Sequence, residues 1–297
     1  MKRSTRAFLR EARKKDGYSF YDWLHGYVYM RWPYLYIGIG KGMHPLSRMV
    51  YLMRRLISKY VPGKTKHNDT FAEGYHGKVV TADEAGRLVH IDQDIDIRNL
   101  EQIIPYTRAK DIIIKNPQHI VVLDCPCRSA MHKPCEPLDV CLIIGDPFAG
   151  FISEHHPQRS RRITAQEAVE IINAEHRRGH VQHAFFKDAM LGRFYAICNC
   201  CSCCCGAMQA HRQDVPMLAA SGYVCRVEGE RCVACGTCVE YCPFDALKLS
   251  DDALIVDDER CMGCGICVSC CEHDAHTLER DGRKGIPLHI SELMPAE

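Results

Sequence analysis
The chain has no long apolar run. Its longest uncharged stretch near the N-terminus, residues 32–40, is nine residues, against the roughly 20 apolar residues that a membrane-crossing helix needs. An integral membrane protein is not expected. No Gly-rich dinucleotide fingerprint, phosphate loop or serine-type triad motif occurs, which puts a self-contained substrate-converting enzyme in second place. An export signal is lacking too. Ser4-Thr5-Arg6-Ala7-Phe8-Leu9-Arg10 echoes a twin-arginine signal, but the first arginine is missing and Glu11-Ala12-Arg13 follows where an apolar core belongs. The reading is a cytoplasmic protein.

Cysteine is the residue in excess, 20 among 297. Without a signal segment, reduced metal-bound thiolates in an anaerobic cytosol are expected instead of a disulfide framework. The net charge of +1 hides an asymmetry: residues 1–66 carry 15 Lys+Arg against 3 Asp+Glu, a balance of +12, which leaves −11 for the rest. The front is basic and the body acidic.

Eight cysteines form two copies of one spacing. Cys232, Cys235, Cys238 and Cys242, then Cys261, Cys264, Cys267 and Cys271, repeat C-x2-C-x2-C-x3-C at an offset of 29 residues. Residues 232–249 and 261–278 share nine identities in eighteen positions, an internal duplication. Three thiolates on one tight loop reach three irons of a cubane and leave the fourth iron to a distant cysteine, which the other copy supplies. The assignment is therefore crossed. Cys232, Cys235, Cys238 and Cys271 hold one 4Fe-4S cluster, and Cys261, Cys264, Cys267 and Cys242 hold the other. A short helix is expected after each fourth cysteine. Zinc knuckles compete, but they usually show two C-x2-C pairs, not two complete quartets.

On this spacing, residues 221–297 resemble a two-cluster bacterial ferredoxin domain. The second copy departs from the pattern. Glu272 stands where that family has proline, His273 and His276 replace Phe244 and Leu247 of the first copy, and Cys270 is extra. The cluster fed by Cys271 is expected to lie in a more polar setting, with a shifted potential.

Ten further thiols lie at the centre. Asp124-Cys125-Pro126-Cys127-Arg128 ends an apolar run and is followed by Cys135 and Cys141; Cys198, Cys200, Cys201, Cys203, Cys204 and Cys205 crowd into eight positions. These six cannot all bind one metal. If the chain is extended there, Cys198, Cys200 and Cys203 face one side and Cys201 and Cys204 the other. For Cys125, Cys127, Cys135 and Cys141, a further 4Fe-4S cluster, a zinc site and unligated redox thiols stay open. Ten buried free thiols would be an oxidation hazard, so at least one further iron-sulfur cluster is expected in 119–205, with zinc as the alternative. His132, His155 and His156 are substitute ligands by type, but isolated histidines are more often surface or hydrogen-bonded residues. With the terminal repeat, these motifs resemble multi-cluster iron-sulfur proteins of anaerobic bacteria and archaea over about 119–297. The resemblance implies electron transfer and supplies no substrate.

The remainder reads as scaffold. A basic helix is expected over 4–15 with Phe8, Leu9 and Ala12 inward, then an aromatic concentration over 18–36. Leu46, Met49, Val50, Met53, Leu56, Ile57 and Tyr60 fall at helical spacing with Arg48, Arg54, Arg55 and Lys59 off the stripe. This front, 1–60, either packs on its own domain or contacts an anionic membrane face or an acidic partner. No recognition motif points to nucleic acid. Residues 78–80 and 88–91 pair as strands, or Thr81-x-x-Glu84 caps a helix. A helix over 103–115, a strand over 119–123, a capping box at Thr164-x-x-Glu167 and a strand over 181–186 complete the reading.

The fold class is α+β: a helical basic segment 1–66, an α/β connecting region 67–118, a cysteine-rich α/β centre 119–220 and a ferredoxin-like two-cluster domain 221–297. The function expected is single-electron transfer between redox partner proteins, alone or as a subunit of an oxidoreductase complex. An iron-sulfur oxidoreductase with a substrate-binding or disulfide-reducing central cluster is the alternative, as is a redox- or metal-sensing adaptor.

Overall fold
Helices open the chain: α1 (Arg3–Lys14), α2 (Phe20–Arg31), α3 (Pro33–Gly40) and α4 (Ser47–Tyr60). Ser19 and Asp22 close a capping box at the start of α2, and Pro33 begins α3, where its missing N–H leaves no helical bond unmade. There follow β1 (Tyr75–Val80), α5 (Ala82–Val89), β2 (Ile95–Ile97), β3 (Ile112–Asp124), α6 (Pro126–Ser129), β4 (Asp139–Asp146), α7 (Phe148–His155), β5 (Ser160–Ile163), α8 (Ala165–Arg177), β6 (Val181–Lys187), β7 (Arg193–Cys200), α9 (Gly206–His211) and β8 (Leu218–Ala219). The computed structural model describes residues 1–60, 75–98, 100, 103, 111–251 and 253–293.

These strands form one curled sheet in the order β2-β3-β4-β7-β6-β1-β8, with β5 added on β3. Strands from 67–118 and from 119–220 thus share a sheet. Side chains alternate across it. Val121, Leu123, Cys141, Ile143 and Phe185 meet Phe8, Trp23, Met30, Phe148 and Phe151 on one face. Ile120, Val122, Leu142, Ile144 and Phe186 meet Leu88, Val89, Ala168 and Ile172 on the other. Phe8 and Ala12 of the basic α1 are buried as expected, and the N-terminal helices are one layer of the fold.

Several local expectations are corrected. Thr81 and Glu84 make the reciprocal cap, so α5 stands where 88–91 had been an alternative strand, and β1 pairs with β6 and β8 instead. Residues 112–115, expected in a helix, begin β3: the Ile112-Ile113-Ile114 run suits a strand and pairs with β2. Residues 104–110 of that helix lie outside the described residues. Thr164 caps α8, but the Glu167 carboxylate turns to Arg161 and leaves the box open. Met49, Val50 and Met53 on α4 are exposed, and the side chains of Leu56, Ile57 and Tyr60 lie outside the described set. Among the described residues no helix is long and apolar enough to cross a membrane.

The C-terminal part holds β9 (Tyr223–Val227), α10 (Thr237–Tyr241), β10 (Leu247–Ser250), β11 (Ala253–Val256), α11 (Ile266–Cys270) and β12 (His276–Arg280), with β9 paired to β12 and β10 to β11. The duplication extends to the backbone: Ala234 and Gly263, Gly236 and Gly265, and Asp245 and Asp274 all have positive φ. The short helices precede each fourth cysteine and do not follow it. Gly236 and Gly265, both at φ 83°, start them, and the left-handed Asp245 and Asp274 turn the chain toward strand.

The copies differ at one tight spot. A Cβ on Gly263 would lie 2.3 Å from the Tyr223 carbonyl oxygen, whereas the equivalent position carries Ala234. Gly263→Ala is expected to lower stability by about 1–3 kcal/mol through overpacking. Gly229→Ala, whose Cβ meets nothing within 4 Å, is the comparison, read from urea midpoints under anaerobic conditions.

Candidate metal centres
Two small cavities mark the duplicated repeat. One is lined by Cys232, Cys235, Cys238 and, from the second copy, Cys271. The other is lined by Cys261, Cys264, Cys267 and, from the first copy, Cys242. Each fourth cysteine sits at the C-cap of α10 or α11, and these two helices pack together, which carries each one to its neighbour's loop.

The local backbone suits thiolates. The amides of Ala246 and Ala275 lie 3.3 and 3.4 Å from the sulfurs of Cys242 and Cys271, and the Cys225 amide 3.4 Å from that of Cys261. Such donors favour the ionised form. Burial works against it, pushing Cys238 up to about 12 and Cys264 well above the thiol range. Thiols this hard to ionise become ligands when a metal supplies the positive charge. Residues of this kind fit an iron-sulfur cluster at each cavity. Cys225, which sequence reading left unassigned, is buried with its sulfur 3.4 Å from His276 Nδ1.

The centre holds two thiol sets that meet at Cys201. A cavity of about 460 Å³ between the sheet, α3 and α9 is lined by Cys125, Cys127, Cys141, Cys198, Cys200 and Cys205. Cys141 and Cys198 face each other across β4 and β7. Cys198 and Cys200 share a strand face because side chains repeat every second residue. Cys205 returns at the N-cap of α9 with its sulfur 3.2 Å from that of Cys200. An extra residue in β7 opposite Phe185 and Phe186 turns both Tyr195 and Ala196 to this side. There the Tyr195 hydroxyl lies 2.9 Å from that of Tyr29.

Hydrogen bonds from Cys125 and Cys205 hold Cys127 well below the ordinary thiol range. Cys205 does the same to Cys200 and is itself pushed up. His183 is fully buried beside Cys200 and helps to hold that thiol low. Thiols held low and a buried imidazole around one cavity fit a bound cationic centre.

Cys203 and Cys204 lie outside that lining, and Cys201, which reaches the cavity wall, has its sulfur beside theirs. β7 ends at Cys200 and the chain turns over 202–204; the expected grouping of Cys203 with Cys198 and Cys200 is corrected, since strict alternation itself puts Cys203 with Cys201. It meets Cys201 and Cys135 instead, the three sulfurs lying within 4.8 Å of one another, and Cys204 Sγ is 3.3 Å from Cys203 Sγ. Cys135 is thereby separated from Cys125, Cys127 and Cys141, with which sequence spacing had grouped it. His132 is exposed, His155 bonds Thr5 and His156 bonds the Met30 carbonyl.

The side chains that tie the thiol loops together went unread. Arg128 is fully buried and donates to Glu175 Oε2 at 2.6 Å, to the Asn199 carbonyl at 3.1 Å and to the Pro137 carbonyl. Lys41, just past α3, donates to the carbonyls of Cys127 and Cys204. Burial alone would raise the Glu175 carboxyl, but His180 and Arg128 hold it below the usual carboxylate range. Arg128 was visible as the end of the Cys-x-Cys-Arg motif, whereas no spacing pointed to Glu175 or His180.

A family model described as a 4Fe-4S binding domain matches residues 226–248, the span of the first cysteine quartet. The segment is similar to that domain, and the chain is an iron-sulfur protein with at least one 4Fe-4S cluster. No curated protein matches the chain.

Arg128→Met leaves Glu175 charged in the interior and is expected to destabilise the protein by about 3–5 kcal/mol. Adding Glu175→Leu should recover part of that loss, as read from unfolding midpoints of the single and double variants.

Proposed function
We propose that the protein passes single electrons between redox partners through two 4Fe-4S clusters in 221–297 and a further iron-sulfur cluster at the six interior thiols. The observation that carries this is continuity: Met262, Cys264, Ile266 and Phe244 of the repeat belong to the same apolar core as Cys200, Cys205 and Met208 of the centre. The two parts are also joined by a 2.7 Å bond between His176 Nε2 and Ser269 Oγ. When bound, each cluster supplies a one-electron carrier whose potential follows burial and hydrogen bonds to sulfur.

The chain's own residues then set a direction. Cys235 is exposed and Cys264 is buried against the centre. A partner therefore docks at the Cys235 end, and the Cys264 end faces inward. The ligand sets are the crossed ones, with Cys242 serving the loop of Cys261, Cys264 and Cys267.

Iron and sulfide analysis of the anaerobically purified chain tests this. About 12 of each supports the repeat plus one central cluster, about 8 removes the central one, and fewer removes the two-cluster repeat. Cys242→Ser should alter the same electron paramagnetic resonance signal as Cys261→Ser; matching Cys232→Ser instead overturns the crossing.

A second reading is favoured by the cavity itself. Its volume of about 460 Å³ at six thiols, with Tyr29, Tyr36, Tyr75 and Tyr195 around it, leaves room for a small substrate or a disulfide. An oxidoreductase of this kind changes its absorption spectrum when substrate is added to the isolated protein; a carrier does not.

The basic front supports a cytoplasmic protein held at the inner membrane face. Phe20, Tyr21, Trp32, Leu35 and Met49 are exposed within the segment of +12 balance. Vesicles containing anionic lipid are expected to float the protein, less so as salt rises. Because Phe8, Trp23 and Met30 are core, the informative variant is Phe20→Ser/Tyr21→Ser/Met49→Ser and not a deletion. Flotation unchanged by these substitutions, or absent in the parent, removes the idea.

A further inference from the structure
The outer thiols lie beside a histidine whose orientation the fold has fixed. His180 is buried, with Nδ1 2.7 Å from Glu175 Oε2 and Nε2 3.6 Å from Cys135 Sγ. Nδ1 faces both Glu175 Oε2 and, at 3.1 Å, Arg128 Nη2; the shorter contact is to the carboxylate, and a proton donated there leaves the Nε2 lone pair directed at Cys135. This carboxylate-histidine pairing is how metal-binding imidazoles are held in one tautomer. Glu175 is itself held in place by Arg128 at 2.6 Å and by Arg178 at 2.9 Å.

We propose that Cys135, Cys201, Cys203 and His180 form a mononuclear site for a tetrahedral divalent cation, zinc or ferrous iron, separate from the iron-sulfur clusters. The spacing decides between one metal and a cluster. Metal-sulfur bonds of about 2.3 Å in a tetrahedron place the sulfurs about 3.8 Å apart. The three outer sulfurs lie within 4.8 Å of one another, whereas among the described residues no three of the six interior thiols gather so closely. The interior set surrounds a volume; the three outer sulfurs surround a point, which His180 Nε2 approaches from the Cys135 side, 3.6 Å from that sulfur.

Charge agrees with this. Three thiolates and a divalent cation carry one net negative charge, and with Glu175 this is met by the two guanidinium groups of Arg128 and Arg178, Arg128 Nη2 lying 3.1 Å from His180 Nδ1. Cys135 comes from the loop after α6, Cys201 and Cys203 from the turn after β7, and His180 from the turn between α8 and β6. One ion thus fastens three separate connections at the edge of the sheet. Cys204, 3.3 Å from Cys203, remains a neighbour and not a ligand.

The site rests on the proposed function only in leaving the interior thiols to iron and sulfide. The test is total metal against acid-labile sulfide in the anaerobically purified full chain. Zinc plus iron should exceed sulfide by about one per chain, as a sulfide-free site requires. Cys135→Ser and His180→Ala should remove that excess and leave sulfide unchanged. Cys204→Ser should keep it, and so should His180→Cys, because four thiolates are an equally good set, which separates loss of a ligand from loss of folding. The inference is overturned if parent metal and sulfide balance, if Cys135→Ser loses iron and sulfide together, or if His180→Ala keeps the excess. Failure of the electron-transfer reading looks different: sulfide is then missing from the parent while the single metal remains.

Discussion
A thiol taken out of water resists ionising, and a metal ligand must be ionised; the whole molecule is arranged around that conflict. Where backbone amides reach the sulfur, as at Cys242, Cys261 and Cys271, part of the cost is met locally. In the central cavity thiols also share protons, so that Cys127 and Cys200 fall in pKa as Cys125 and Cys205 rise. Neither arrangement gives a packing advantage over alanine or valine. Bound positive charge is the term that makes such clusters worth keeping.

The fold supplies the thiols from its edges. Cys125 caps and Cys127 lies in α6 just after β3, β4 carries Cys141, β7 carries Cys198 and Cys200, Cys205 caps α9, and the loops after α6 and β7 carry the others. Strand ends are rigid and loops are not, so the loops are tied down by charges that reach across them. Arg128 spans from its own loop to α8 and β7, and Lys41 joins the Cys127 and Cys204 backbones from the N-terminal layer. That gives the basic front a role no charge count foresaw: it helps close the cavity as well as carrying exposed aromatics.

Much of the repeat could be read from spacing alone, because eight ligands at fixed intervals, doubled, leave few geometries. The expected partition followed from loop reach, and each small cavity is lined by three cysteines of one copy and the fourth of the other. The position of the short helices did not follow, since it depends on which of several glycines takes φ 83°. At the centre, all ten cysteines were named but sorted wrongly. Cys203 belongs with Cys201 by simple alternation, and what sorting needed beyond that was the point where β7 ends and the turn that brings Cys135 to the same pair. Glu175 and His180 were invisible for another reason: a helix interior and a turn bring them to the thiols only after the sheet has formed. The same holds for 112–115, where the isoleucine run outweighed a helical pattern once β2 offered a partner.

The exposure gradient along the chain of thiols gives the architecture its direction. At the far end of the repeat Cys235 lies at the surface; at its near end Cys264 is buried in the core that also holds Cys200 and Cys205. A one-electron path needs contact with a partner only at its ends and exclusion of water between them, and burial increases in that order here. The cavity at the inner end is large for a site that only relays electrons, and its tyrosines pair with one another at Tyr29 and Tyr195 instead of filling it. A terminus built this way suits delivery of electrons to something that enters the cavity, so that the carrier and oxidoreductase readings describe two ends of one device.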